Sequence, residues 1–209
     1  QYTADITKQF FGLNKRIKVI YNGVDTARFS PKKEKNMSGK VRVLFAGNIS
    51  LRKGIQYIPE IASHLDSNIT VCCTGGLSEN KVFSKRLPNV EMLDSIPFEQ
   101  MPELYREFDI LLFPTVREGF GLVVAEAMAT GLPVVATNCS AIPELIDQGK
   151  GGYLCELGNV REFADRINQL AASPALRHEM GEYNRNLVEE KFSLEKMISE
   201  YRSLFAEIG

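Results

Sequence analysis

From Val41 onward, short apolar runs alternate with stretches whose apolar residues recur at helical spacing. The runs are "VRVLFAG" (41–47), "NITVCCT" (68–74), "VEML" (90–93), "DILLFP" (109–114), "LPVVAT" (132–137) and "GYLC" (152–155). Several are continuous rather than alternating in polarity, the pattern of strands covered on both faces of a parallel sheet. Helical patterns fall between them at about 53–65, 79–86, 99–107, 121–130, 141–147 and 159–172. This alternation predicts an α/β fold: a Rossmann-like, doubly wound parallel sheet of about six strands with right-handed crossovers and helices on both faces.

The ends differ from this middle. Tyr2, Ile6, Phe10 and Leu13 share helical spacing, and "IKVIYNGVD" (17–25) reads as a strand and a turn. Residues 31–40, "PKKEKNMSGK", are polar and turn-rich, as in a linker. Leu194, Met197, Ile198, Tyr201, Leu204, Phe205 and Ile208 form an amphipathic stripe. Both terminal faces have two readings: packing on this domain's own sheet, or packing against a second domain outside the chain.

At 209 residues, 44% hydrophobic and 24% charged, the chain has room for one large domain. A formal net charge of -1 gives no electrostatic case for nucleic acid. The apolar runs are strand-sized, so no membrane span is expected. A start at Gln1 rather than Met leads to the expectation of a fragment or a processed chain. Cys72, Cys73, Cys139 and Cys155 lie in or beside apolar runs without a C-x-x-C pair, as expected for reduced thiols of a cytoplasmic protein. His64 and His178 lack partners at metal-ligand spacing, so no metal site is expected.

In an open parallel sheet, ligands bind beyond the carboxyl ends of the strands. Three loops are candidates. In "GNISLRKG" (47–54), Gly47 and Gly54 relax the backbone, while Arg52 and Lys53 place cations where a helix begins. That arrangement suits a diphosphate, although a solvated basic pair would read the same way. In "CTGG" (73–76), Gly75 and its neighbour permit close approach of a ligand but serve plain turns equally well. No G-x-G-x-x-G follows a strand, which weighs against NAD.

The third loop is "EGFGLVVAEAMATGLPVV" (118–135). Gly119 and Gly121 flank Phe120 at a helix entrance, where amides and the helix dipole favour negative charge. Eight residues separate Glu118 from Glu126, about 12 Å if fully helical. The acid–base carboxyl pairs of glycoside hydrolases stand only about 5–9.5 Å apart. The two carboxylates therefore suit separate hydroxylated parts of one extended ligand, or else a dipole-favoured Glu and a solvated one.

Taken together, "VIYNGVDTARF" (19–29), "GNISLRKG" (47–54), "FDILLFPTVREGFGLVVAEAMATGLPVVAT" (108–137) and "GGYL" (151–154) resemble the C-terminal, nucleotide-sugar-binding domain of retaining GT-B glycosyltransferases of group 1, or family 4. Glu118 and Glu126 match that family's E-x7-E motif, and the order of motifs runs through nearly the whole chain. The resemblance implies transfer of a hexosyl unit from a UDP-, GDP- or ADP-linked sugar to an acceptor hydroxyl, without a divalent metal or other cofactor. It implies Glu126 on the ribose and Glu118, the catalytic candidate, on the transferred sugar. Lys53 would hold phosphate, and the amides of Gly119, Phe120, Gly121 and Leu122 would face sugar and phosphate. The base would sit near "LDS" (93–95), on the backbone of Leu93 and Asp94. Where the family commonly carries Arg, this chain has Asn48, so half of a cationic clamp must come from Arg52 or elsewhere.

The resemblance also implies a division of the chain. Residues 1–21 would belong with an N-terminal acceptor domain absent here, 22–40 would be a linker, 41–192 the nucleotide-sugar-binding domain, and 193–209 a helix crossing back. On that reading the chain binds donor but does not turn over alone. It is cytoplasmic, its full-length form touches the inner membrane peripherally, and polysaccharide assembly is the family-level role. Two alternatives stand beside it: a GT-B-shaped nucleotide-sugar epimerase, which needs its own acid–base carboxylates and histidines, and a non-catalytic nucleotide-sugar-binding module.

Overall fold

The computed structural model describes residues 1–12, 17–31, 39–75 and 87–208. Six strands form one parallel sheet: β1 (Val41–Phe45), β2 (Ile69–Cys73), β3 (Val90–Met92), β4 (Ile110–Phe113), β5 (Val134–Thr137) and β6 (Gly152–Cys155). Their order is β3-β2-β1-β4-β5-β6, so the winding reverses between β1 and β4. Val43 pairs with Ile110 and Leu44 with Leu111 at that junction. All six strands lie within the runs picked out by the sequence.

Buried residues alternate between the sheet's two faces, as strand geometry requires. Leu44, Cys72, Leu111, Phe113, Val134 and Ala136 point to one side, where α3 (Met101–Arg106), α4 (Leu122–Ala129) and α6 (Pro174–Lys191) pack. Val43, Val71, Ile110, Leu112, Val135 and Cys155 point to the other, beneath α2 (Ile58–Ser63) and α5 (Val160–Ala172). Both faces are covered, which is why the strand sequences run apolar without alternation. The four cysteines are free thiols. Burial pushes Cys73 and Cys155 up to about 12 and Cys72 up to about 11, so these three are core groups rather than nucleophiles.

Several predicted elements differ in form. No strand forms over the described part of 17–25; Val24 makes only an isolated bridge to Ser193. A Cβ on Gly23 would stand 2.6 Å from Leu194 Cα, so this segment packs on the start of α7 (Leu194–Ile208) instead of adding to the sheet. The helix expected over 53–65 is two 3-10 turns (Leu51–Lys53 and Ile55–Tyr57) before α2, because Gly54 breaks it at φ 85°. The one expected over 141–147 is a single 3-10 turn, Ile142–Glu144. Conversely, α6 is an 18-residue helix that the reading of the sequence omits. Ser173 caps it by accepting from the Leu176 amide at 3.2 Å, with Pro174 at the first helical position. The helix expected over 79–86, with Leu13, Gly76 and 32–38, lies outside the described residues.

The terminal helices are half-attached. Glu144 accepts from the Tyr2 amide at 2.5 Å and the Tyr21 hydroxyl at 2.7 Å, tying α1 (Tyr2–Phe11) to the sheet domain. Further out, Phe10, Phe11, Tyr201 and Phe205 are exposed.

Candidate functional site

The loops leaving β1 and β4 meet at the point where the winding reverses, where an open α/β sheet offers a crevice. The first loop is fastened to the second by its backbone. The Thr115 hydroxyl donates to the Arg52 carbonyl at 3.1 Å, and the Val116 amide donates to the same oxygen at 2.8 Å. Gly54 makes this possible: any Cβ there would stand 1.9 Å from the Pro114 carbonyl oxygen. The fastening carries Lys53 to Glu118. Its Nζ stands 2.5 Å from Glu118 Oε2 and 5.1 Å from the centre of the Phe113 ring. With side chains only 15% and 12% exposed, this is a half-dry ion pair rather than a surface one.

Next in the chain, Gly121 adopts φ 99° and opens α4. Residues Gly119 and Phe120 precede it in an exposed turn, so the first amides of α4 project from the sheet's carboxyl edge beside the ion pair. The Phe120 ring itself turns away, into an aromatic group with Tyr21 (6.0 Å) and Phe192 (5.8 Å).

Glu126, one turn into α4, faces a separate cavity of about 240 Å³ lined by Gly47, Asn48, Gly75, Ser95, Phe98 and others. The Tyr105 hydroxyl donates to Glu126 Oε2 at 2.9 Å. Burial pushes the Glu126 carboxyl up, while the Tyr105 hydrogen bond and the charge of Arg28 pull it back. Burial, with the Glu126 carboxylate beside it, pushes the Tyr105 hydroxyl well above its ordinary range, which keeps it a donor.

The predicted residues thus fall into two groups. Lys53 and Glu118 meet at the mouth of α4, while Gly47, Asn48, Gly75 and Glu126 share the cavity. Arg52 contributes its carbonyl to the loop junction and carries its side chain into solvent. Leu93 donates its amide to the Cys73 carbonyl, prolonging the sheet, and Asp94 is exposed; from this loop the cavity wall takes Ser95 and Ile96. Tyr105 and Arg28 escaped the reading of the sequence. Tyr105 sits in an ordinary helical apolar pattern, and Arg28 in a segment read as linker.

The family model described as "Glycosyl transferases group 1" matches residues 26–187. The chain belongs to that family. Among its relatives, N-acetyl-alpha-D-glucosaminyl L-malate synthase of Bacillus anthracis is 30% identical over 210 residues, covering 93% of this chain and 55% of that one. The fold superposes on S. aureus TarM, solved as a variant in complex with Fondaparinux, alpha-GlcNAc-glycerol and UDP. There the TM-score is 0.82 at 26% identity, over 97% of this chain and 41% of TarM. It also superposes on the C-terminal domain of the group 1 family protein LpcC from Francisella tularensis, with a TM-score of 0.73, 28% identity, 82% of this chain and 100% of that one. The chain spans about half the length of the curated relatives it matches. No helix among the described residues is long and apolar enough to cross a membrane.

Proposed function

We propose that this chain is the donor-binding half of a retaining glycosyltransferase, acting on a nucleotide diphosphate sugar. One observation carries the reading: Lys53 and Glu118 pair at the mouth of α4, while Glu126, one turn inside the same helix, lines a cavity on the same side of the sheet's switch point. The Glu126 carboxylate accepts from the ribose hydroxyls, and the cavity behind it holds the nucleoside. Lys53 and the first amides of α4 face the diphosphate, with Glu118 on the hydroxyls of the sugar beyond it. Asn48, at the cavity wall, supplies polar contact where a second cation would stand.

In the transfer, the bond from the sugar's anomeric carbon to the diphosphate breaks and one to the acceptor oxygen forms, with configuration retained. The acceptor proton leaves to a base. Lys53 and the α4 amides stabilise charge on the departing diphosphate, a preorganised electrostatic contribution that needs no protein-held metal. Acceptor binding falls to an N-terminal half that residues 1–21 and α7 would meet through their exposed aromatic faces; the whole enzyme would work at the cytoplasmic side of the membrane, in polysaccharide assembly. UDP is the favoured nucleotide, supported by the bound UDP of TarM.

Thermal denaturation checks the ligand class. At a hundredfold excess over Kd, one of UDP, GDP and ADP is expected to raise the midpoint by about 5 °C or more, and NAD to leave it unchanged. Stabilisation by NAD alone would contradict the reading.

A further inference from the structure

We propose that Tyr105 is a positioning residue that aims Glu126 at a ribose and thereby makes the site select ribonucleotides over deoxyribonucleotides. The inference rests on the donor-site reading above and extends it to a residue outside the cavity.

Tyr105 is fully buried, its ring held edge-on by Phe29 at 6.0 Å. Its hydroxyl has two acceptors in range, Glu126 Oε2 at 2.9 Å and the Val123 carbonyl at 3.4 Å. With one proton to give, it goes to the nearer and charged one. A glutamate otherwise turns about three side-chain bonds, and a carboxylate must be fixed to accept from two vicinal hydroxyls at once. Pinning Oε2 from the core side sets the plane of the group and leaves Oε1 for the ligand. Among the described residues no second side chain hydrogen-bonds Glu126. Arg28, the cation whose charge reaches Glu126, spends its guanidinium on the Phe98 ring (4.3 Å) and the Phe98 carbonyl (2.9 Å).

The test is calorimetric titration of UDP and 2′-deoxy-UDP into this chain as wild type, Tyr105→Phe and Glu126→Ala, with the same pair of GDP or ADP forms if that base binds. Tyr105→Phe keeps the ring, and its melting temperature reports that the fold is intact. The wild type is expected to prefer the ribonucleotide by at least about tenfold. In Tyr105→Phe, ribonucleotide affinity falls about tenfold while deoxyribonucleotide affinity holds, so the preference nearly disappears, as it does in Glu126→Ala. Equal weakening of both nucleotides by Tyr105→Phe, or no change in either, overturns the proposal and leaves the donor site standing. A wild type that binds none of the three nucleotides overturns both.

Discussion

Lys53→Met is expected to weaken binding of UDP about a hundredfold while leaving uridine binding unchanged. Two effects add. On the proposed reading the substitution removes the ammonium that would face the diphosphate, and a charge-assisted contact of this kind contributes about 1.5–3 kcal/mol. It also strips Glu118 of its partner at 2.5 Å. The carboxylate, only 12% exposed, then repels the incoming phosphates instead of being neutralised. A hundredfold loss corresponds to about 2.7 kcal/mol, within what these two effects supply. On the same reading the nucleoside lies in the Glu126 cavity, away from the ion pair, and serves as the internal control. The same substitution should lower unfolding free energy by about 1–3 kcal/mol in urea titration, because a half-buried charge loses its counterion. Equal loss for uridine would move Lys53 out of the phosphate contact and into a general packing role.

The largest stability effect is expected at Gly54. Gly54→Ala should destabilise the chain by more than about 4 kcal/mol, or prevent folding. The added Cβ would lie 1.9 Å from the Pro114 carbonyl oxygen, against backbone that ends β4 and cannot yield as a side chain can. The φ of 85° adds the cost of holding an L-residue in the left-handed region. Gly47 provides the contrast. It also has positive φ, at 127°, but a Cβ there meets nothing within 4 Å. Gly47→Ala should therefore cost only about 1–3 kcal/mol of backbone strain. Urea midpoints of the two variants separate these cases. Similar midpoints would mean that the β1 and β4 loops are not in the close contact that brings Lys53 to Glu118.

The strands were legible because a sheet covered on both faces needs continuous apolar runs, and "DILLFP" or "LPVVAT" fits little else at that length. Their order was not legible, because the right-handedness of β–α–β crossovers fixes the face each helix covers and not which strands are neighbours. The helices were read less well where a single residue overrides periodicity. Gly54 breaks the pattern of 53–65 into 3-10 turns. Helix α6 went unread because most of its surface is polar, although Ser173, Pro174 and the buried face of Met180, Asn184, Leu187 and Val188 mark it in retrospect.

Within the candidate site, the charged residues were visible and their supports were not. Lys53 and Glu118 stand out in the sequence as charges beside glycine in loops that follow strands, and Glu126 through its E-x7-E spacing from Glu118. Tyr105 does not stand out, since a tyrosine on the apolar face of a short helix reads as core. Its role depends on where the hydroxyl ends, which is a tertiary fact. The same holds for Phe120, whose place in the loop was evident but whose ring joins Tyr21 and Phe192, residues far away in the chain.

The central claim is that a nucleoside diphosphate spans the entrance of α4, and a crystal structure of this chain grown with UDP tests it most directly. The account predicts the ribose within hydrogen-bond distance of Glu126, the uracil in the cavity lined by Asn48, Ser95 and Phe98, and the diphosphate against Lys53 and the first amides of α4. A nucleotide bound elsewhere, or in this crevice with its phosphates turned away from Lys53, would contradict it.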